Sequence, residues 1–387
     1  MSKFLATTRA SRIAVLAGLA AIGLGFAMPA SADDGAVKIG IAAPFTGSSA
    51  PWGEQFKRGT DMAVKDFNAA GGAAGQQLSV EIGDDVADPK AGVSVANKFV
   101  ADGVKWVIGH VNSGVSIPAS DVYAENGIIQ ITPASTNPTF TDRGLWNTFR
   151  TTGRDDQQGS VAAAYLVKHF AGKRIAIVHD KTPFGEGLAQ IVKKGINEKG
   201  LTEVFYEGIN IGEKDYSSLV TKLKESGADV VYYGGVYTEA GLIIRQMRDQ
   251  GMQAPLMGGD GLVTTDFGAI AGPGGAGTLM TYTPDPRDNP EAKKIVERMR
   301  AEGFEPEAFT VKCYASVQIL VQAANAIQST DPEKIAEYMH SGHVFDTVIG
   351  KVSYDKRGDM VQANYVMYVW KPTAAGGLDY AGNELTD

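Results

Sequence analysis

From residue 37 onward, two hydrophobic rhythms alternate along the chain. Val37-Lys38-Ile39-Gly40-Ile41-Ala42-Ala43 is nearly continuous in apolar residues and predicts a buried strand. Trp52, Phe56, Gly59, Ala63, Phe67 and Ala70 then recur at helical spacing and stop at Gly71-Gly72. Further strands are predicted at Leu78-Ser79-Val80-Glu81-Ile82, Trp106-Val107-Ile108-Gly109 and Ile128-Ile129-Gln130-Ile131. Between them, Asp88-Pro89 marks a helix start, and another helix begins near Ser113. The rhythm restarts at Arg174-Ile175-Ala176-Ile177-Val178. It continues with a helix over 185–199, a strand over 202–206, a helix capped by Asp215, a strand at Asp229-Val230-Val231-Tyr232-Tyr233, a helix over 238–250, and short strands at 255–257 and 277–282.

Strands alternating with helices predict parallel sheets with helices on both faces, here as two α/β units in series. The last third breaks the rhythm, with helices over 291–301, 308–328 and 332–339 followed by strands over 350–354 and 364–370. Helices without strands are expected to return and cover the first unit, and the last strands to join the second. The expected lobes are therefore 33–150 plus 284–349 and 151–283 plus 350–387, with crossovers near 150–151, 282–283 and 347–350. Several crossovers make a hinge that opens and closes a cleft.

The first 32 residues carry a different pattern. Lys3, Arg9 and Arg12 precede an apolar run over 13–26, and Ala30-Ser31-Ala32 forms a small-residue cleavage site. This order predicts a secretory signal cut after Ala32 and a periplasmic location. The run is shorter than the ~20 apolar residues a membrane-spanning helix needs. The remainder holds 33 Lys+Arg against 44 Asp+Glu. An acidic chain without a basic run argues against nucleic acid and anionic membrane surfaces as partners. The single cysteine, Cys313, cannot form an internal disulfide and reads as core beside Phe309 and Val317.

In open parallel sheets, ligands bind beyond the carboxyl ends of the strands. In the first unit those ends carry hydroxyls and helix-start N–H groups at Ser113, Ala134 and Thr136, which suit a carboxylate. In the second they carry Asp260 with aromatic surface at Phe184 and Tyr237, which suits an ammonium. Trp52 and Phe184 are placed to wall an apolar side chain, so the set reads as an amino-acid site. Catalytic signals are poor. Gly272-Pro273-Gly274-Gly275-Ala276-Gly277 precedes a strand and opens no helix, so it reads as a loop. His340-Ser341-Gly342-His343 lacks a partner at metal-ligand spacing and reads as a surface turn. No cofactor, metal or enzymatic activity is expected.

At these loops the chain resembles the periplasmic leucine/isoleucine/valine-binding proteins. The resemblance is carried by Asp88-Pro89-Lys90, Ile131-Thr132-Pro133-Ala134, Phe149-Arg150-Thr151-Thr152-Gly153, Ile175-Ala176-Ile177-Val178-His179-Asp180-Lys181 and Tyr232-Tyr233-Gly234-Gly235. It implies a type I periplasmic binding protein, with two Rossmann-like lobes and a three-crossover hinge. The implied partners are a branched-chain or related hydrophobic amino acid and the membrane permease of an ABC importer, and the chain would be a monomer. The family's carboxylate contacts fall on Ser113, Ala134 and Thr136. Its ammonium contacts fall on Asp260, where glutamate is usual, and on Thr136. Its pocket residues fall on Trp52, Phe184 and Val236, with Tyr237 one place after the usual tyrosine. The positions of a disulfide that some members carry fall on Ala87 and Asn112. The altered pocket leaves phenylalanine or an aromatic carboxylic acid as alternative ligands, and a ligand sensor for a receptor as an alternative role.

Overall fold

The computed structural model describes residues 35–386, so the export signal expected over 1–32 lies outside the described residues. The first lobe runs β1 (Val37–Ala43), α1 (Ala50–Ala69), β2 (Leu78–Asp84), α2 (Pro89–Ala101), β3 (Trp106–Gly109), α3 (Ser113–Glu125), β4 (Ile129–Thr132), α4 (Thr139–Asp142) and β5 (Thr148–Arg150). Its strands pair in parallel in the order β2-β1-β3-β4-β5. The second lobe runs α5 (Asp155–His169), β6 (Ile175–His179), α6 (Pro183–Asn197), β7 (Phe205–Gly208), α7 (Ser217–Glu225), β8 (Val230–Gly234), α8 (Tyr237–Asp249), β9 (Leu256–Gly258), α9 (Thr265–Ala271) and β10 (Leu279–Tyr282). Its parallel order, β7-β6-β8-β9-β10, repeats that of the first lobe. Each sheet thus reverses its winding beside its own first strand, which opens a crevice at the carboxyl ends of the strands.

The last third also behaves largely as expected. Helices α10 (Lys293–Ala301), α11 (Ala308–Ile327) and α12 (Pro332–His340) follow one another. α11 packs along α1, and Arg298 of α10 pairs with Asp66 of α1 at 2.6 Å. Fifteen of the twenty α11 residues are buried, from Ala308 to Ala324, so this helix is core on nearly every side. Val366–Val369 then adds to β10 as an antiparallel strand and carries Glu384–Leu385 on its outer edge.

One expected strand goes elsewhere. Gly350–Val352 does not join the second sheet but folds back on Phe345–Thr347 as a separate hairpin. Thr347 Oγ1 donates to Gly350 O at 2.7 Å, and Val348 N donates to Gln318 of α11 at 3.0 Å, so the turn is anchored to the first lobe. The chain next runs beside β5, where Arg150 N donates to Gly358 O at 3.2 Å and Tyr354 packs edge-on against Phe149. Gly358 has φ +91°, and a side chain there would meet Thr148 O at 1.9 Å. The third crossing therefore falls between Met360 and Val366, beyond the expected 347–350.

Smaller departures have local causes. The strand expected over 202–206 pairs from Phe205 to Gly208, entered through a Val204 N bond to Ile175 O. Asp215 accepts from Ser217 N at 2.8 Å but stands one residue before the helix cap. Ser341 and Gly342 form the expected exposed turn with His343 also exposed, whereas His340 is half-buried, tied to Asp355 O and Trp146 O, with its ring tilted against Phe149 at 4.6 Å.

The α1–α11 contact is close because Gly59 has no side chain. A Cβ there would lie 2.1 Å from Thr310 O. Gly59→Ala should therefore destabilise the protein by ~1–3 kcal/mol despite the better helix propensity of alanine. Equilibrium denaturant unfolding measures this, and a midpoint unchanged or raised would show that the two helices separate freely.

Candidate functional site

The carboxyl ends of the two sheets face one another across a cavity of about 320 Å³. From the first lobe come Ser48, Ser49 and Trp52 after β1, the 86–89 turn after β2, 111–115 after β3, and Ala134 after β4. From the second come Asp180, Thr182, Pro183 and Phe184 after β6, Ile211 and Gly212 after β7, Val236 and Glu239 after β8, and Asp260 and Gly261 after β9. Phe309, at the start of α11, completes the wall.

Local chemistry holds each loop in place. Asp84 at the end of β2 accepts from Phe45 N at 2.8 Å and from Thr46 Oγ1 at 2.6 Å, which pins the β1–α1 loop. Asp88 caps α2 by accepting from Lys90 N and Ala91 N, both at 2.9 Å. Ser113 opens α3 at the cavity, and Val115 N and Ser116 N already donate to Asn112 O at 2.9 Å, which leaves the N–H groups of Ser113 and Gly114 as the donors of this helix start. Asp180 accepts from Thr182 N at 2.9 Å and Thr182 Oγ1 at 2.6 Å, and Thr182 in turn caps α6 at Gly185 N.

The two walls differ in charge. The first lobe presents hydroxyls, amides and helix-start N–H groups, with Asp88 alone among its carboxylates and already engaged as a cap. The second lobe presents three buried carboxylates, Asp180, Glu239 and Asp260. Glu239 accepts from Gly212 N at 3.0 Å. Asp260 is 3 % exposed. Its Oδ1 accepts from Gln158 Nε2 at 3.0 Å, and its Oδ2 has no hydrogen-bond partner among the described residues. Burial pushes its pKa up to about 6 against the lowering effects of Gln158 and of the nearby Lys312 ammonium. Burial likewise pushes Asp180 up to about 6.

The structure brings together six of the eight residues expected at the site. Ser113, Ala134, Asp260, Trp52, Phe184 and Val236 all line the cavity. Two others stand behind it. Thr136 is fully buried, and its carbonyl accepts from Asp155 N at 2.9 Å where the lobes join. Tyr237 packs edge-on against Trp52 with ring centroids 5.0 Å apart. Its hydroxyl donates to Ser48 O at 2.6 Å across the lobes. Ala87 and Asn112 both border the cavity.

Sequence reasoning missed four contributors. Gln158 sits on α5, a helix that the apolar pattern signals only weakly through Ala162, Ala163 and Leu166 after a polar start. It joins Asp155, Asp260 and Thr281 in one buried hydrogen-bonded set. Phe309 was read as core, and it does pack on Phe56, but its other side faces Trp52 and the cavity. The turns after β2 and β7 supply Val86 and Ile211, exposed apolar residues at the mouth on opposite lobes. Both strand ends followed the same rule as the others and were legible by it.

The chain belongs to the periplasmic binding protein family, whose model matches residues 36–376. It is 55% identical over 344 residues to the Leu/Ile/Val-binding protein homolog 1 of Brucella melitensis, covering 89% of this chain and 93% of that protein. Its fold is that of a type I periplasmic binding protein. The leucine-binding protein LivK of Thermotoga maritima superposes with a TM-score of 0.81 at 26% identity, over 89% of this chain and 98% of the other. The branched-chain amino acid transporter substrate-binding protein LivJ of Streptococcus pneumoniae, solved with isoleucine, gives 0.80 at 25% identity, over 91% and 100%.

The lobes touch on both sides of the cavity, through Tyr237–Ser48 and through Asn137 Nδ2 to Pro183 O at 2.6 Å. Tyr237→Phe removes the first of these bonds, worth ~0.5–1.5 kcal/mol. A larger share of open molecules is expected, seen as a larger radius of gyration in small-angle X-ray scattering. An unchanged radius would mean that this bond does not hold the lobes together.

Proposed function

We propose that this chain captures a branched-chain or related hydrophobic amino acid in the interlobe cavity and presents it to the membrane permease of an ABC importer. It acts by binding, without catalysis. The observation that carries the reading is the polarity of the cavity: neutral donors and the α3 start on one lobe, and a buried carboxylate with an unmatched oxygen on the other. A ligand carboxylate would sit at Ser113 and the Ala134 loop, its ammonium at Asp260, and its side chain among Trp52, Phe184, Val236 and Phe309. Thr136 and Tyr237 would support the contact residues from behind. The similarity to proteins named for leucine, isoleucine and valine supports the same ligand class.

Because the two ends of such a ligand meet different lobes, binding would favour the closed arrangement. The hinge would divide the chain into 33–150 with 284–360 and 151–283 with 361–387, a monomer exported by the signal cut after Ala32. The closed form would then be the one that the permease reads.

Asp260→Ala should lower leucine affinity by ~3–5 kcal/mol, because a buried ammonium would lose its charged partner. Asp180→Asn should cost less, since Asp180 is already engaged by Thr182. Isothermal titration of both variants decides which carboxylate takes the ammonium, and the reverse order would move the site to Asp180. Benzoate and 4-hydroxybenzoate belong in the same titration. Tight binding of these acids with no response to leucine would assign the protein to aromatic acids instead.

The pH dependence follows from the same group. Asp260 holds an ammonium only when ionised, and its pKa is raised to about 6. Leucine affinity should be level above neutral pH and fall as pH drops through that value, approaching ~tenfold per unit. Affinity that stayed level down to pH 4.5 would exclude Asp260 as the partner.

A further inference from the structure

One buried amide has its orientation fixed by its neighbours. Gln158 of α5 is fully buried and is not among the residues that line the cavity. Asp260 N donates to its Oε1 at 3.2 Å, and a backbone N–H can only donate, so that end of the side chain is the oxygen. Thr281 Oγ1 donates to the same oxygen at 3.0 Å. Nε2 therefore points the other way, donating to Asp260 Oδ1 at 3.0 Å and to Asp155 Oδ1 at 2.8 Å. Both donors and both lone pairs of the amide are used. Asp260 is gripped twice, by its backbone and by one oxygen, and Oδ2 is the oxygen left unmatched.

Two further features serve this grip. Gly259 lets the amide approach, since a Cβ there would lie 2.9 Å from Gln158 Oε1 and 2.6 Å from Leu188 Cδ2. The start of α5 is also tied to the other lobe. Asp155 N donates to Thr136 O at 2.9 Å, and the next residue of that loop, Asn137, donates its N–H to Ser113 Oγ at 3.2 Å. The first turn of α5 thus reaches from the loop read as the carboxylate wall to the residue read as the ammonium partner.

Titratable groups face the amide from several elements. Asp155 comes from α5 itself, Tyr232 from β8, and Tyr365 from the end of the third crossover. Burial pushes both tyrosines up, so they stay neutral. Burial also raises the carboxyls, Asp155 to about 7 and Asp260 to about 6, and the Gln158 donor opposes the rise at each. Lys312 of α11 and Arg150 of β5 are engaged elsewhere, with Thr152 Oγ1 at 3.2 Å and Asp359 at 2.7 Å. Among the described residues, Gln158 is the one side chain hydrogen-bonded to both carboxylates.

We propose that Gln158 is a positioning residue of the ligand site, which fixes Asp260 with Oδ2 free for a ligand ammonium and supports its negative charge inside the protein. The proposal rests on the reading of Asp260 as the ammonium partner. Gln158 acts through that carboxylate and does not touch the ligand. Without its donor, the cost of burying the charge would be met by a proton, and a protonated carboxyl cannot pair with an ammonium as an ion.

The test is isothermal titration of leucine from pH 4.5 to 8.5 with wild type, Gln158→Met and Gln158→Glu. Methionine keeps the length of the side chain but donates nothing. In that variant the acid limb of leucine affinity should move up by about one pH unit, with affinity at pH 8.5 lower by about tenfold. Glutamate keeps the shape as well and sets a third carboxyl between the other two, so the limb should move up further. Loss of packing alone would lower affinity at every pH and leave the limb in place. A limb unmoved in the folded variants would overturn the proposal. Gly259→Ala presses on Gln158 Oε1 without changing any ionisable group. It should move the limb in the same direction, and it decides the question if neither Gln158 variant folds. A wild-type curve with no acid limb overturns the Asp260 reading itself, and the proposal with it.

Discussion

The structure is organised around a carboxylate that the fold leaves half satisfied. Asp260 has one oxygen held by Gln158 and one held by nothing among the described residues, in a position almost closed to water. An ionised group in that state is costly unless something charged arrives. The surrounding elements keep it so. The winding reversal beside β6 opens the crevice, β9 delivers the residue to its edge, and α5 fixes the inner oxygen through Gln158. Among the described residues of the facing lobe that line the cavity, Asp88 is the one carboxylate, and it is committed to α2.

Much of this was legible in the chain because parallel α/β units announce themselves twice. Continuous apolar runs such as Val37 to Ala43 located the strands, and the rule that ligands lie past strand ends turned six loops into a site. What escaped notice did so for physical reasons. Helix α5 begins Asp-Asp-Gln-Gln and buries only a narrow stripe, so its hydrophobic pattern is faint although Gln158 is central. Tyr237 and Val236 are neighbours with opposite fates, one behind Trp52 and one at the cavity, and only the direction of the α8 start decides between them. The 350–354 segment has a strand-like composition, but a three-residue hairpin with Phe345–Thr347 uses its hydrogen bonds first.

The hinge is stiffened asymmetrically. Asp359, in the segment beside β5, accepts both Arg150 and Arg154 from the first crossover, and Arg150 also donates to Ser135 O and Thr141 Oγ1. Buried ion pairs of this kind add little net stability compared with apolar packing, but they specify one arrangement of the groups they join. The first and last connections are therefore clamped together on the side of the first lobe, which confines bending to the short stretches that follow.

Helix α11 carries one more consequence. It lies along α1, closes the cavity through Phe309 and seats Lys312 at the hinge, yet it is separated from α1 by more than two hundred residues of sequence. The first lobe thus cannot be completed from its own opening segment. A chain emerging amino end first would expose the α1 face, with Trp52, Phe56 and Gly59, until almost all of the polypeptide had followed. Loop-closure entropy and high contact order then make assembly of this face a late and slow event. Under the proposed export to the periplasm, such a delay would serve a purpose: the part made first would be the part that waits for the rest before it folds.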